Sequence, residues 1–184
     1  MIVLASGSPR RGEILSNAGI AFVRQVPAEI DETPIPGEAP RDYVMRLARE
    51  KASAIPSDPQ RIVLGADTAV VIEGEILGKP SSAADAARML RLLSGRAHDV
   101  ITGICLNSAR GQVTDAASTR VWFTSLSGPE IDAYVASGEP MDKAGAYGIQ
   151  GLASKFVTRI EGCYFNVMGL PISLVYTHLA GFVI

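Results

Sequence analysis

Residues Ile62–Ile72 read IVLGADTAVVI, an apolar run with a single carboxylate, Asp67, near its middle. Its valines, isoleucines and threonine are strand-forming residues. With its flanks, the run reads as strands over 61–67, 68–74 and 75–79, with turns at the glycines. A strand that served only a core would not carry Asp67. Burying an unpaired carboxylate costs several kcal/mol unless the group is paired, neutralised or bound to a metal. Asp67 therefore predicts a neighbour, either a cation of the chain or a bound ion.

Outward from this run, strand and helix patterns interleave. IVLA at 2–5 reads as a first strand and AFVRQV at 21–26 as a second. Between them, Ser8 is placed as an N-cap, Pro9 at the first helical position and Gly19 just past the helix end. PRDYVMRLAREKASAI, 40–55, is an amphipathic helix, and 81–95 is another that ends at Gly95. HDVITGICLNS and QVTDAASTRVWFTSL form a hairpin across Ala109–Gly111, and Ser127 caps a short helix. KFVTRIEG is a late strand and Pro171 opens the final helix. The alternation is not strict, which predicts an α/β fold with a mixed central sheet flanked by helices.

The 184 residues are 47 % hydrophobic and 20 % charged, as expected for one globular domain spanning 1–184. A net charge of −2 argues against a general nucleic-acid or anionic-membrane surface. Cys105 and Cys163 fit no metal-ligand spacing and are expected to be reduced and buried in a cytoplasmic protein. The apolar C-terminus is interrupted by Asn166, Gly169, Pro171 and His178, so it is expected to cover a core or a homodimer contact rather than to span a membrane. IDETPIPGEAP, 30–40, reads as a loop over a cleft.

Four stretches carry candidate chemistry. In ASGSPRR, small residues lead into a helix N-terminus, where Arg10 and Arg11 are unfavourable unless an anion shares the site. Phosphate fits that position, held by backbone N–H groups, hydroxyls and guanidinium forks; a capped helix with two solvated arginines fits it as well. Lys51 falls on the apolar face of its helix with Val44, Leu47, Ala48 and Ile55. It either extends along the core edge to water or points into a cleft as a cation. Lys79, in GKP at 78–80, is a turn lysine unless it faces the same cleft as Asp67. The stretch 142–151, DKAGAYGIQG, combines close-approach glycines with Lys143, Tyr147 and Gln150 as polar handles. With only His98 and His178 in the chain, a histidine-rich metal site is excluded and a Ser-His-Asp triad carries little weight.

The ordered set LASGSPRR (4–11), DET (31–33), RLAREKA (46–52), LGADT (64–68), GEILGKP (74–80), DKAGAYGIQG (142–151) and GCYFNVMGLP (162–171) resembles the Maf family of nucleoside triphosphate pyrophosphatases. The resemblance covers nearly the whole chain. It implies a Maf/ITPase-like mixed α/β fold with a deep cleft and a divalent metal, Mg²⁺ or Mn²⁺. The implied reaction cleaves a nucleoside triphosphate between its α and β phosphates, releasing a monophosphate and pyrophosphate. GADT with YGIQG is similar to the subgroup acting on dTTP, UTP and modified pyrimidine nucleotides, a housecleaning role. A sister subgroup, acting on 7-methyl-GTP, has a different residue after the aspartate and Glu where Gln150 stands. The resemblance implies that Asp67 is the catalytic base and that Arg10, Thr68 and Gln150 set specificity. It implies a polar pocket of Ser6, Ser8, Arg11, Glu32, Lys51 and Lys79.

Under that resemblance Glu32 and Asp67 form the thin carboxylate shell that Mg²⁺ takes, and Arg11, Lys51 and Lys79 neutralise phosphate charge. The alternatives are the same chemistry on 7-methyl-GTP and a non-catalytic nucleotide-binding regulator of division or septum formation. Asp67 argues against the second, because binding alone gains little from a carboxylate facing phosphates.

Overall fold

The computed structural model describes residues 1–27, 30–56 and 58–182. Seven strands form one hydrogen-bonded sheet: β1 (Ile2–Ala5), β2 (Phe22–Arg24), β3 (Ile62–Ile72), β4 (Glu75–Leu77), β5 (Ala97–Ser108), β6 (Gly111–Phe123) and β7 (Val157–Glu161). Their order is β2-β1-β3-β5-β6-β7, with β4 paired to β3. β1 runs parallel to both β2 and β3, whereas β4 is antiparallel to β3 and β7 to β6, so the sheet is mixed, as expected. The helices are α1 (Pro9–Asn17), α2 (Pro40–Ser53), α3 (Ala83–Leu93), α4 (Gly128–Ala136), α5 (Tyr164–Met168) and α6 (Ile172–Ala180). None among the described residues is long and apolar enough to cross a membrane.

The chain divides into two compact units. The first comprises Met1–Thr68, Thr102–Ala117 and Gly169–Ile184; the second comprises Ala69–Ile101 and Ser118–Met168.

In the first unit, α2 lies directly on the sheet. Val3, Ala5, Ala48, Ala52, Ile55, Val63 and Cys105 form its core on that face. Two glycines make this close approach possible. A Cβ on Gly65 of β3 would overlap the Ala48 carbonyl oxygen, and one on Gly103 of β5 would overlap the Val44 carbonyl. The helix backbone therefore rests on the strand backbones.

The second unit has a larger core, built from Val70, Ile72, Leu77, the inner face of α3, Phe123, Tyr147 and Phe156 among others. Local chemistry sets its helix ends. Ser82 caps α3 by accepting from Asp85 N, and Ser127 with Glu130 closes a capping box on α4. His98 is buried here. Its Nε2 lies 2.8 Å from the Tyr147 hydroxyl, and its ring stacks edge-on against Phe123. Burial lowers its pKa to about 4, so the ring is neutral at physiological pH and has a packing role.

Some local readings change. Residues 61–74 are not two strands divided between Asp67 and Thr68. Ile62–Ile72 is one strand, and Gly65 within it serves close helix packing. The second strand shortens to Phe22–Arg24, and α5 is a helix that the sequence pattern did not predict. Ser8 occupies the N-cap position of α1 but makes no side-chain cap; the Ser8 N–H instead donates to Ser6 Oγ at 3.2 Å. Both cysteines are free, and Cys163 is only half-buried.

Candidate active site

The parallel pairing of β1 with β3 ends at Ala5 opposite Gly65. β1 stops there and turns toward α1, while β3 runs on. Asp67 and Thr68 thus stand beyond the end of the neighbouring strand. Successive strand residues face opposite sides of a sheet, so the two side chains serve different clusters. Asp67 shares the face of Val63 and Gly65, where α2 is seated; Thr68 points the other way.

On the α2 side, Lys51 Nζ donates to Asp67 Oδ1 at 2.6 Å and lies 2.7 Å from Glu32 Oε1. One ammonium is thus shared by two carboxylates. Asp67 is 7 % exposed and Lys51 half-buried, whereas the Glu32 side chain is 49 % exposed. The loop bearing Glu32 is held to α2. The Tyr43 hydroxyl donates to Glu32 O at 2.9 Å, and Arg46 Nη2 donates to Thr33 O at 3.1 Å. Arg46 also grips both Glu38 carboxylate oxygens, at 2.7 and 2.9 Å. Burial, with Asp67 and Glu32 nearby, pushes the Tyr43 hydroxyl up to about 12, so it remains a donor.

On the other face, Arg11 is buried and its guanidinium is braced on three sides. Nε donates to Gly169 O at 2.8 Å, Nη1 to Ser6 Oγ at 3.1 Å and Nη2 to Thr68 Oγ1 at 3.2 Å. Thr68 Oγ1 lies 2.9 Å from Thr102 Oγ1. A solvated Arg11 is therefore ruled out, and Thr68 reaches the site already engaged by protein groups. Burial lowers the Arg11 pKa from its ordinary value and the Asp67 carboxylate opposes that shift; a guanidinium stays protonated regardless.

Burial also raises the Asp67 pKa. Lys51 and Arg11 pull it back, and Glu32 adds to the rise, but loss of solvent outweighs the pairing. A carboxyl shifted upward in this way is better suited to accept a proton near neutral pH than an ordinary aspartate.

The first unit gathers Ser6, Arg11, Lys51, Asp67, Thr68 and Glu32 into these linked clusters, with Ser8 and Arg10, both half-buried, at the start of α1. Lys79 and Gln150 belong to the second unit, where both are exposed. Their two loops meet within that unit, because the Gly145 N–H donates to Gly78 O at 3.0 Å. Three participants escaped the sequence reading: Thr102, Tyr43 and the Gly169 carbonyl. Gly169 stood inside a quoted stretch, and its φ of +113° marks a backbone that side-chain-bearing residues rarely adopt. Thr102 and Tyr43 lay in ordinary strand and helix patterns and had no local signal.

Glu32 and Asp67 are the residues that could hold a hard divalent cation; no group of three or more His, Cys, Asp or Glu placed to hold one stands among the described residues. Glu32 and Asp67 already converge on one positive centre through carboxylate oxygens, and Mg²⁺ characteristically takes one or two carboxylates with substrate phosphates and waters.

The family model described as Maf-like protein matches residues 1–182. A protein of Syntrophomonas wolfei named dTTP/UTP pyrophosphatase is 53 % identical over 96 % of this chain and 95 % of its own length. Proteins of the same name from Anaeromyxobacter dehalogenans and Shewanella oneidensis are each 55 % identical, over 94 % and 93 % of this chain and 89 % and 92 % of theirs. Among solved structures, the Ham1 protein of Staphylococcus aureus aligns with a TM-score of 0.55 at 15 % identity, and a HAM1 protein of Coxiella burnetii with 0.53 at 17 %. Each of these two alignments covers 98 % of both chains, and they support the fold alone. By the extent of the family match and the identity to these relatives, the chain belongs to the Maf family.

Proposed function

We propose that this protein hydrolyses dTTP and UTP to the monophosphate and pyrophosphate, with Asp67 as general base. One observation carries the reading: a carboxylate hidden inside a strand, held by a lysine and raised in pKa by burial. Relatives of 53–55 % identity bearing the name dTTP/UTP pyrophosphatase supply the substrate class.

In this mechanism an Asp67 oxygen accepts the proton of a water attacking the α phosphorus, and the α–β bridging oxygen leaves with pyrophosphate. Lys51 keeps Asp67 oriented and supplies positive charge beside it. Arg11, tied to Gly169 and Ser6, supports Thr68 and adds fixed positive charge behind the carboxylate. Arg10 and Ser8 at the α1 N-terminus are assigned to phosphate and substrate contacts. The roles of Lys79 at phosphate and Gln150 at the base rest on the family motif. A divalent ion, Mg²⁺ or Mn²⁺, held by Glu32 and Asp67, supplies charge neutralisation and a lowered water pKa when bound. The free cysteines suit a reducing compartment such as the cytoplasm. A homodimer is proposed from Tyr176 of α6, which is 71 % exposed.

The test is a panel of dTTP, UTP, dCTP, dGTP and 7-methyl-GTP, assayed for pyrophosphate release with Mg²⁺, with Mn²⁺ and with EDTA. Metal-dependent turnover greatest on dTTP and UTP supports the reading. Preference for 7-methyl-GTP, or binding without turnover, overturns it.

A further inference from the structure

Gln150 lies in a glycine-rich segment that forms successive short 3-10 turns, Ala144–Ala146 and Leu152–Phe156, with residues 147–151 between them. A segment so rich in glycine has high conformational entropy, and a specificity residue on it needs external support. On one side, Tyr147 is buried and lies against His98 and Phe123. On the other, the contacts come from α4 and the turn that follows it.

Tyr134 of α4 is buried, and its hydroxyl donates to Glu139 Oε1 at 2.9 Å. The same hydroxyl accepts from the Gly148 N–H at 3.2 Å. Glu139 Oε2 accepts from the Leu152 N–H at 3.0 Å. Lys143 Nζ donates to Glu139 O at 2.6 Å, which ties the start of the segment to the same residue. The packing is equally close. A Cβ on Gly151 would overlap the Glu139 carboxylate, and one on Gly148 would lie 2.7 Å from Lys143 Cε. The backbone on both sides of Gln150 is therefore clamped by one hydroxyl and one carboxylate, while Gln150 itself is exposed. Burial and the Glu139 bond hold the Tyr134 pKa above its ordinary value, so the hydroxyl remains a donor.

We infer that Glu139 and Tyr134 are positioning residues for nucleotide discrimination: they clamp the backbone at Gly148 and Leu152 so that Gln150 is presented in one conformation. The inference rests on the proposed role of Gln150 in reading the base. A carboxylate suits this task because it accepts from the hydroxyl and the amide at once, whereas an amide side chain would turn a donor toward one of them.

The variants are Glu139→Gln, of nearly the same shape, and Tyr134→Phe, which removes only the hydroxyl. They are compared with Gln150→Ala and with the double variant Glu139→Gln/Gln150→Ala. The readouts are kcat and KM on dTTP and dGTP, amide hydrogen exchange at 148–152 and thermal melting. Misplacing a substrate-orienting group by about 1 Å costs up to ~100-fold, so Glu139→Gln is expected to lower kcat/KM on dTTP by about tenfold, mainly through KM. It should narrow the dTTP-to-dGTP ratio and speed exchange at Gly148 and Leu152 but not along α3. The double variant should be no worse than Gln150→Ala, since the clamp acts through that side chain. If Glu139→Gln does not fold, Tyr134→Phe should show the same pattern more weakly. An altered ratio in Gln150→Ala with none in Glu139→Gln or Tyr134→Phe overturns the clamp alone. An unaltered ratio in Gln150→Ala overturns the base-reading role, and the inference with it.

Discussion

Lys51 Nζ lies 2.6 Å from Asp67 Oδ1, joining a helix to a strand whose backbones touch through Gly65. That glycine brings α2 close enough for a lysine on its inner face to reach a carboxylate two residues along β3. The pair explains how an aspartate is tolerated in an apolar strand. The upward shift of its pKa shows that burial still outweighs the pairing.

Replacing Asp67 with Asn removes the proton acceptor but little of the volume. General-base contributions are typically about 10²–10⁴-fold, so Asp67→Asn should lower kcat about a thousandfold while dTTP affinity changes only a few-fold. Single-turnover pyrophosphate release and equilibrium binding check this. Near-normal release would mean that another group takes the proton.

The raised Asp67 pKa also has a sign for stability. A carboxyl whose folded pKa exceeds its unfolded value contributes stability below about 3.8, and this is lost as pH rises through the folded value. At neutral pH the charged form therefore costs stability, and Asp67→Asn should melt no lower than the parent protein at pH 7.5. In the metal-free protein the same shift places the Asp67 titration above the ordinary aspartate range. Lys51→Met, which removes the first cation opposing that shift, should move this titration to higher pH, read by NMR of the Asp67 carboxyl without metal or nucleotide. A titration that stays in place in Lys51→Met would separate Lys51 from Asp67.

Gly65→Ala inserts a methyl group between β3 and α2. Overpacking of this kind costs about 1–3 kcal/mol, so the variant should melt several degrees lower. It should also lose turnover beyond what its folded fraction explains, because Lys51 is carried away from Asp67. Activity per folded molecule, with folding followed by circular dichroism, reads the second effect.

Thr68→Val keeps the shape but removes the hydroxyl to which the buried Arg11 Nη2 donates. An unsatisfied buried group costs about 1–3 kcal/mol, and the urea midpoint should fall accordingly. Thr68→Ser restores the hydroxyl and should recover most of the loss.

Gln150→Glu exchanges a side chain that both donates and accepts for one that only accepts when ionised. The order of preference across the nucleotide panel should change, with dTTP and UTP falling relative to purines. An unchanged order would remove Gln150 from base recognition.

Much of the framework was legible locally. Ser127 and Pro9 mark helix starts, Gly19 and Gly95 ends, and the 3–4 spacing of Val44, Leu47 and Ala48 a buried helix face, because caps and periodicity act within a turn or two of chain. The division of 61–74 into strands ending at Asp67 and Gly74 did not hold, because Ile62–Ile72 is one strand. Gly65 inside it relieves contact with a helix distant in the chain, and no local pattern carries that signal.

The sequence by itself determined the α/β class, the mixed sheet, the isolated carboxylate of Asp67 and the ordered motifs that carry the Maf resemblance. Only the tertiary structure decided which cation Asp67 meets, that Arg11 is braced by Gly169, Ser6 and Thr68, and that Tyr134 and Glu139 clamp the backbone around Gln150. The physical reason is range. Propensity, capping and periodicity are properties of neighbouring residues, whereas a hydrogen bond between residues 11 and 169 exists only once the sheet has brought distant segments into register.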